Sequence, residues 1–210
     1  METTSGIKKA LVITGGYCNT ELAQDYISEK YDLIVAADSG YSTAQKLGVK
    51  PDIAVGDFDS LRTGLPEGMN VLRVACEKDV TDTMLACEYA KDNGCRDITI
   101  VGGTGGRIDH SLSNVFYLEE LYSAGIRAIL TDGENTVRVI KDETVKIKPT
   151  GGYFSIFALD KCTVTESGCK YPLKNATLVR ERPYALSNEV SADEATLTVT
   201  GTAILVTSRR

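Results

Sequence analysis

The sequence lacks several patterns on which common classes of enzyme depend. Its single histidine, His110, gives no basis for assembling a Ser-His-Asp or a Cys-His catalytic group. Its six cysteines are scattered and no two form a Cys-x-x-Cys pair, which argues against both a zinc site and a disulfide framework. Neither a P-loop motif nor a G-x-G-x-x-G dinucleotide motif occurs.

Charge and hydropathy exclude two further kinds of partner. The net charge is −6 and no run of lysine and arginine forms a basic stripe, so we expect no nucleic acid and no anionic membrane as partners. No stretch approaches the roughly 20 apolar residues of a membrane span. Cysteines without a disulfide pattern fit a reducing compartment. We therefore predict a cytoplasmic protein of ordinary globular composition, with 42% apolar and 25% charged residues.

The first part of the chain alternates short apolar runs with helical periodicity. Strands are predicted at 10–13, 33–37, 53–55, 71–74, 97–101 and 128–130, and helices between them, including one at 81–92. This alternation predicts an α/β domain over residues 1–135, a Rossmann-like, mostly parallel sheet flanked by helices. Ligands of such sheets bind beyond the C-terminal ends of the strands.

The pattern changes after Asn135, where helical periodicity disappears. Short runs rich in threonine and valine, punctuated by glycine, predict strands at 145–148, 153–158, 162–165, 195–200 and 203–206. We interpret residues 136–210 as a small all-β sandwich domain.

Two carboxylates, Asp57 and Asp59, follow the apolar run that ends at Val55. On an extended backbone they point to the same side, about 6–7 Å apart along the chain. Because no cation lies between them, they repel each other unless a positive ion binds there, and Mg²⁺ is commonly held by one or two carboxylates plus substrate phosphates. The simpler interpretation of this motif alone is a solvated acidic turn.

Lys78, Asp79, Thr81 and Asp82 open the helix predicted at 81–92. Helix capping and interaction with the helix dipole explain these residues in the simplest way. The functional alternative adds two oxygen donors and a lysine to a phosphate and metal site.

The loop from Gly102 to Arg107 has four glycines in its first five residues and lies between a predicted strand and a predicted helix. Its amides can form an anion-binding nest, and Arg107 adds a donor fork suited to phosphate; a flexible linker is the alternative. Asp109 and His110 follow directly, and a lone histidine is more often structural than catalytic. From the residues alone, we infer a metal-dependent enzyme acting on a phosphorylated nucleotide.

Five short motifs in one order resemble the thiamine pyrophosphokinase family. They are Ala36 to Gly40, Pro51-Asp52 with Gly56 to Ser60, Lys78-Asp79-x-Thr81-Asp82, Gly105-Gly106-Arg107-x-Asp109-His110, and Ser187-Asn188-Glu189. On residue chemistry alone, the first and the last of these are ordinary turns. The resemblance covers essentially the whole chain, including the change from an α/β part to a β part.

The resemblance implies transfer of a pyrophosphoryl group from ATP to the hydroxyl of thiamine, giving AMP and thiamine diphosphate. It also implies Mg²⁺ and a homodimer, with thiamine between the nucleotide part of one subunit and the β part of the other. The metal-binding and catalytic carboxylates would be Asp57, Asp59, Asp79 and Asp82, with Asp109 as a further catalytic residue. ATP and its phosphates would contact Asp38, Ser39, Gly40, Lys78, Thr81, Gly105, Gly106 and Arg107. Thiamine would contact Ser187, Asn188 and His110.

One departure from the family concerns tryptophan. Mammalian members hold thiamine with a tryptophan near the Ser-Asn motif, and this chain has none, so Tyr171 and Tyr184 are the candidates for an aromatic partner. Two alternative functions stay open. One is a related pyrophosphokinase with another alcohol acceptor, and the other is a sensor that binds nucleotide or thiamine without turnover.

Overall fold

The protein has a mixed α/β fold with a large β-sheet component and few helices. The computed structural model describes residues 6–58, 68–73 and 80–209, and the chain divides into two compact units between Gly133 and Glu134. This division lies two residues before the end of the predicted first domain at residue 135. Within the described ranges, no helix has both the length and the apolar character needed to cross a membrane.

The described part of the first unit contains all six predicted strands and four helices. The strands are β1 (Lys9–Ile13), β2 (Leu33–Ala37), β3 (Ile53–Gly56), β4 (Val71–Arg73), β5 (Asp97–Val101) and β6 (Arg127–Thr131). The helices are α1 (Gln24–Ile27), α2 (Gly40–Leu47), α3 (Asp82–Asp92) and α4 (Ile108–Ser123). The helix predicted at 81–92 therefore begins one residue later, because Thr81 is its N-cap.

The strands of the first unit are parallel and lie in the order β6-β5-β1-β2-β3-β4. The chain runs outward from β1 to β4 and then returns to β5 on the other side of β1. Strand order thus reverses between β1 and β5, and in open parallel sheets ligands bind beyond the strand ends at such a point.

The sequence of β1 is a nearly continuous apolar run because the strand is buried on both faces. Residues 10–13 have no solvent exposure, as expected for a central parallel strand covered on both faces. Leu11 and Ile13 pack with Val101 of β5 and with Ala44 and Leu47 of α2. This packing holds α2 close to the end of β1, which is where the cavity described below begins.

The second unit is antiparallel and consists of five strands. They are β7 (Asn135–Lys141), β8 (Thr144–Ile147), β9 (Phe154–Ser167), β10 (Ala176–Val179) and β11 (Ala195–Ser208). Their order is β10-β9-β11-β7, and β8 pairs with the first residues of β11. Buried residues from four of these strands, β7, β8, β9 and β11, share one core cluster with Leu178 of β10.

Two sequence predictions for this unit were wrong in detail. The runs 153–158 and 162–165 are one continuous strand, β9, and the runs 195–200 and 203–206 are also one strand, β11. The register of β11 against β9 shifts between Gly201 and Ala203, so the glycine marks a bulge rather than a turn. Strands β7 and β10 were not predicted.

Candidate active site

A cavity of about 780 Å³ opens at the C-terminal ends of the parallel strands in the first unit. Its walls come from the ends of β1, β2 and β5 and from the first residues of α3 and α4. The lining residues are Thr14, Gly15, Gly16, Tyr17, Ala37, Asp38, Ser39, Val80, Thr81, Asp82, Thr83, Gly102 to Arg107, His110 and Asn114. The cavity therefore lies at the point where the strand order reverses, as the topology predicts.

Hydrogen bonds fix the glycine-rich loop after β5. The Tyr17 amide donates to the Thr104 carbonyl at 2.7 Å, and the Thr104 hydroxyl donates to Asp132 Oδ2 at 2.8 Å. The buried Asn114 side chain donates through Nδ2 to the Gly103 carbonyl, also at 2.8 Å. These contacts anchor the loop to β1, β6 and α4, so it is not a flexible linker.

The loop has the backbone conformation of an anion-binding nest. Gly105 and Gly106 have φ angles of 79° and 68°, which side-chain-bearing residues rarely adopt. Among the described residues, no group accepts a hydrogen bond from the amide of either glycine. The loop also leads into the 16-residue helix α4, whose N-terminus favours negative charge. An anion such as a phosphate group suits this end of the cavity.

Arg107 lines the cavity and pairs with Asp109. Its Nη2 lies 2.5 Å from Asp109 Oδ2, and its Nε lies 3.1 Å from Oδ1. This hydrogen bond holds the pKa of the Asp109 carboxyl below its ordinary value, so Asp109 is a weaker base than an isolated aspartate. Both side chains are largely exposed, and Asp109 is not among the lining residues.

Asp38 and Asp57 follow the ends of two neighbouring strands, β2 and β3. Asp38 has a positive φ of 43°, and its amide donates to the Val55 carbonyl at 2.8 Å. A Cβ added to Gly56 would lie only 3.1 Å from Asp38 Cβ, so the glycine permits this close approach. Asp38 lines the cavity, whereas Asp57 is half-buried just after β3 and is not among the lining residues.

The start of α3 forms another part of the wall. The Thr81 hydroxyl accepts a hydrogen bond from the Met84 amide at 3.2 Å, which is the capping role expected from the sequence. Asp82 also lines the cavity. Lys78 and Asp79, like Asp59 after β3, lie outside the described residues. Within residues 6–58, 68–73 and 80–209, no three acidic, histidine or cysteine side chains are grouped closely enough to hold a metal.

Eight of the residues predicted for the metal, nucleotide and thiamine sites line this cavity. They are Asp38, Ser39, Thr81, Asp82, Gly105, Gly106, Arg107 and His110. Gly40 does not line the cavity, and its lack of a side chain lets the start of α2 pack against β1, because a Cβ there would lie 2.0 Å from the Ile13 carbonyl oxygen. Sequence reasoning missed Thr14, Tyr17 and Asn114. Thr14 and Tyr17 flank Gly15-Gly16, a glycine pair that follows β1 as Gly102-Gly103 follows β5. This repeated pattern is the sequence signal for these two residues.

The second unit contains a smaller cavity of about 140 Å³. Its lining residues are Glu166, Tyr171, Leu173, Tyr184, Ala185, Leu186 and Asn188. Ser187 has a φ of 55°, and its amide donates to Ser155 Oγ at 3.0 Å, but it does not line this cavity. Of the two predicted residues of the Ser-Asn motif, only Asn188 therefore reaches it.

Asn188 is buried, and its side chain is fully hydrogen-bonded. Its Nδ2 donates to Glu166 Oε2 at 2.6 Å and to the Tyr171 carbonyl at 2.9 Å. Its Oδ1 accepts from the amides of Tyr171 and Glu189, both at 3.0 Å. Burial raises the pKa of the Glu166 carboxyl, and the hydrogen bond from Asn188 partly opposes this shift. Sequence reasoning missed Glu166.

Two protein-family models match the chain in succession. The model described as thiamin pyrophosphokinase, catalytic domain, matches residues 24–130, and the model described as thiamin pyrophosphokinase, vitamin B1 binding domain, matches residues 134–204. The chain belongs to the thiamin pyrophosphokinase family. Most residues that line the larger cavity, all except those from Thr14 to Tyr17, lie in the part that matches the catalytic domain of this family, and the smaller cavity lies in the part that matches its vitamin B1 binding domain.

Individual members of the thiamin pyrophosphokinase family match over nearly the whole chain. Thiamine pyrophosphokinase from Bacillus subtilis is 30% identical over 193 residues, covering 88% of this chain and 90% of that protein. A crystal structure of the thiamine pyrophosphokinase from Bacillus subtilis matches with a TM-score of 0.83 and 26% identity, covering 97% of this chain and all of the other. The structure from Geobacillus thermodenitrificans matches with a TM-score of 0.79 and 26% identity, covering 96% and 98% of the two chains.

Gly16 allows the end of β1 to approach the glycine-rich loop, which leads to a first prediction. A Cβ at Gly16 would lie 2.2 Å from the Gly102 carbonyl oxygen and 2.6 Å from that of Thr104, so the two backbones would have to separate. We expect Gly16→Ala to lower the free energy of unfolding by about 1–3 kcal/mol and to weaken ATP binding. Urea denaturation and calorimetric titration with ATP measure these effects.

Gly6→Ala, at an exposed position with no atom within 4 Å of the added Cβ, is the matched control for Gly16→Ala. Equal stability of the two variants would contradict this role of Gly16.

Proposed function

We propose that this chain transfers the pyrophosphoryl group of ATP to the hydroxyl of thiamine, giving thiamine diphosphate and AMP. The observation that carries the proposal is the succession of two family matches, catalytic and vitamin B1 binding, over the two compact units. The larger cavity supports the same function, because it combines an anion-binding loop with carboxylates at the reversal point of a parallel sheet.

We also propose that Mg²⁺ is the cofactor, held by Asp57, Asp59, Asp79 and Asp82. The donor set fits this ion, since all four residues offer carboxylate oxygens and none offers sulfur or nitrogen. Among these four, the described residues are Asp57, at the end of β3, and Asp82, in the cavity wall. When bound, the ion would neutralise part of the negative charge on the triphosphate of ATP.

The other residues of the larger cavity act by binding and positioning. The amides of Gly105 and Gly106 and the guanidinium of Arg107 would bind phosphate oxygens and stabilise the charge that develops during transfer. Because the ion pair between Arg107 and Asp109 is exposed, water already weakens it and a phosphate group can replace the carboxylate. Asp57 and Asp109 are the two candidates to accept the thiamine hydroxyl proton, and a distinct strong base is not required when charge neutralisation and positioning supply most of the rate.

We propose that the second unit supplies contacts to thiamine and forms part of the subunit interface. The match to a vitamin B1 binding domain supports a thiamine site here. In the arrangement that the family resemblance implies, the protein is a homodimer, with thiamine held between the first unit of one subunit and the second unit of the other. We further propose that the first unit is Rossmann-like and that the antiparallel strands of the second unit form a sandwich.

An AMP-release assay tests the proposed activity. Purified protein with Mg²⁺ and ATP should release AMP only when thiamine is present, and EDTA should abolish the reaction because the carboxylates alone leave the triphosphate charge uncompensated. Phosphate-ester products are separated by chromatography, so thiamine diphosphate is measured together with AMP.

Each other outcome of this assay contradicts a specific part of the proposal. AMP formed only with another alcohol would show that the acceptor is wrong while the nucleotide site stands. Binding of ATP or thiamine without AMP formation from any acceptor would identify a sensor. Full activity in EDTA would remove Mg²⁺ from the mechanism.

A further inference from the structure

Thr14 follows β1 directly and carries a buried hydroxyl that has no hydrogen-bond partner among the described residues. The residue is 4% exposed and lines the larger cavity. Its amide is satisfied, because it donates to the Val101 carbonyl at 2.8 Å. Buried polar atoms in native proteins almost always have a partner, and a buried atom that lacks one lowers stability. Packing alone does not explain the Thr14 hydroxyl, and a ligand in the cavity would supply the missing hydrogen bond.

Backbone segments close over Thr14 from two directions. A Cβ at Gly40, the first residue of α2, would lie 2.8 Å from Thr14 Cα, and a Cβ at Gly102, after β5, would lie 2.8 Å from the Thr14 carbonyl oxygen. Both glycines thus permit packing that a larger residue would prevent. The cavity is left as the side from which a ligand reaches Thr14, and rotation about the Cα–Cβ bond exchanges the positions of its hydroxyl and methyl groups.

The cavity wall beside Thr14 carries the carboxylate of Asp38. Strands β1 and β2 are parallel neighbours, so Thr14 and Asp38 follow the ends of adjacent strands, which lie roughly 4.7–4.9 Å apart. A Cβ at Gly15 would lie only 1.8 Å from Ser39 Oγ, which shows how closely the two chain segments approach. Thr14 and Asp38 therefore present a hydroxyl and a carboxylate to one region of the cavity.

This pair of groups selects against an anion and favours a neutral ligand group that carries hydroxyls. The Asp38 carboxylate would repel a phosphate placed beside it. A carboxylate accepts hydrogen bonds, and a threonine hydroxyl both donates and accepts. The two together therefore suit a ligand hydroxyl that donates to one of them and accepts from the other. In ATP, the groups of this kind are the 2′ and 3′ hydroxyls of the ribose.

The position of the anion-binding loop fits the same arrangement. Gly105 and Gly106 follow β5, which lies on the opposite side of β1 from β2. A nucleotide with its phosphates at that loop can place its ribose near the ends of β1 and β2. In dinucleotide-binding sheets, an acidic residue roughly 20 residues after a glycine-rich turn hydrogen-bonds the ribose 2′ hydroxyl, and Asp38 follows Gly15-Gly16 at a similar interval.

We propose that Thr14 and Asp38 form the ribose subsite for ATP and that Thr14 is a specificity-determining residue, which selects ribonucleotides over deoxyribonucleotides. This inference rests on the function proposed above. A ribose hydroxyl supplies the hydrogen bond that no described residue gives to the Thr14 side chain. The corresponding deoxynucleotide cannot form this bond, so it binds more weakly.

Calorimetric titrations with Mg²⁺ and each of three nucleotides, ATP, 2′-deoxyATP and 3′-deoxyATP, test the inference in the absence of thiamine. Wild type should bind ATP about 5- to 10-fold more tightly than at least one of the deoxy analogues. Thr14→Val, a variant of the same shape without the hydroxyl, should bind ATP about 5- to 10-fold more weakly than wild type, and its affinity for that analogue should stay within about twofold of wild type. The conservative variant Thr14→Ser keeps the hydroxyl and should keep the preference of wild type.

Thermal denaturation of the protein without nucleotide gives a second readout. Replacing an unpartnered buried hydroxyl by a methyl group is neutral or stabilising, so the Tm of Thr14→Val should equal or exceed that of wild type. Thr99→Val is the matched control, because Thr99 is a buried threonine of β5 whose side chain hydrogen-bonds Tyr31 and that does not line the cavity. This control should lower the Tm and leave the preference among the three nucleotides unchanged. A Tm of Thr14→Val as low as that of Thr99→Val would show that the protein itself uses the hydroxyl and would contradict the inference.

Failure of this inference is distinguishable from failure of the proposed function. If wild type forms AMP with thiamine but binds all three nucleotides equally, or if Thr14→Val weakens all three equally, the inference is wrong and the function stands. If wild type binds ATP without forming AMP, the function is wrong and the comparison of nucleotides still decides the role of Thr14. Absence of nucleotide binding would overturn both. Should Thr14→Val fail to fold, equal affinity of wild type for ATP and both analogues overturns the inference.

Discussion

Asp57→Asn should lower kcat for thiamine-dependent AMP formation by on the order of 10²-fold or more, with the fold intact. Asparagine keeps the size of the side chain and removes the negative charge that the proposed metal site needs. Asp57 directly follows Gly56, whose backbone lies close to Asp38. The side chain of Asp57 is half-buried and is not part of the hydrophobic core. The effect should therefore appear in turnover and in Mg²⁺ dependence, and steady-state kinetics over a range of Mg²⁺ concentrations measures both.

Asp92→Asn is the matched control for this prediction. It makes the same chemical change at an exposed position at the end of α3 and should leave kcat unchanged. Circular dichroism and thermal denaturation should give the same result for both variants and wild type. Near-normal turnover in a folded Asp57→Asn variant would remove Asp57 from the catalytic set.

The parallel part of the fold could be predicted because its sequence signals are local and strong. Every strand of this unit except β4 is a short, mostly apolar run with a glycine or an acidic residue at its end or within two residues after it, and the runs at 97–101 and 33–37 coincide with β5 and β2. Strands that are buried on both faces give such runs, and their alternation with helices is typical of a parallel sheet. The cavity at the strand ends follows from this topology.

The antiparallel part was harder to predict because residues typical of turns also occur inside its long strands. Asp160 and Lys161 look like a turn, yet β9 continues through them, since the Arg180 amide donates to the Asp160 carbonyl at 2.9 Å and Lys161 pairs with Val179 of β10. Gly201 also looks like a turn, and its φ of 98° and its hydrogen bond to Asp142 show a bulge instead. Tertiary pairing decides both positions, and local sequence does not.

The candidate site shows the same division between local and tertiary information. Glycines, acidic residues and the Thr81 cap are recognisable in the sequence because short-range backbone geometry requires them. Asn114 gave no such signal, since an asparagine within a helix looks like a surface residue until its bond to the Gly103 carbonyl is seen. Glu166 was recognisable in principle, as the third member of the alternating row that begins at Cys162.

Asn188→Ala should lower the free energy of unfolding by about 3 kcal/mol or more. An asparagine whose only role was to contact thiamine would contribute much less to the stability of the protein. The change removes four hydrogen bonds and leaves a buried carboxylate at Glu166 without its nearest donor. Each buried polar group that loses its partner costs about 1–3 kcal/mol, and more when it is charged. Urea denaturation, with the midpoint and the slope both determined, measures the loss.

Ser187→Ala is the neighbouring control that separates the two roles of the Ser-Asn motif. The Ser187 side chain is exposed and alanine tolerates its φ of 55° no worse than serine does, so stability should change by less than about 0.5 kcal/mol. A large loss of stability confined to Asn188→Ala would show that the asparagine of this motif builds the cavity and positions Glu166. If Asn188→Ala instead kept wild-type stability and raised only KM for thiamine, the asparagine would contact thiamine directly and the internal hydrogen bonds would not determine its role.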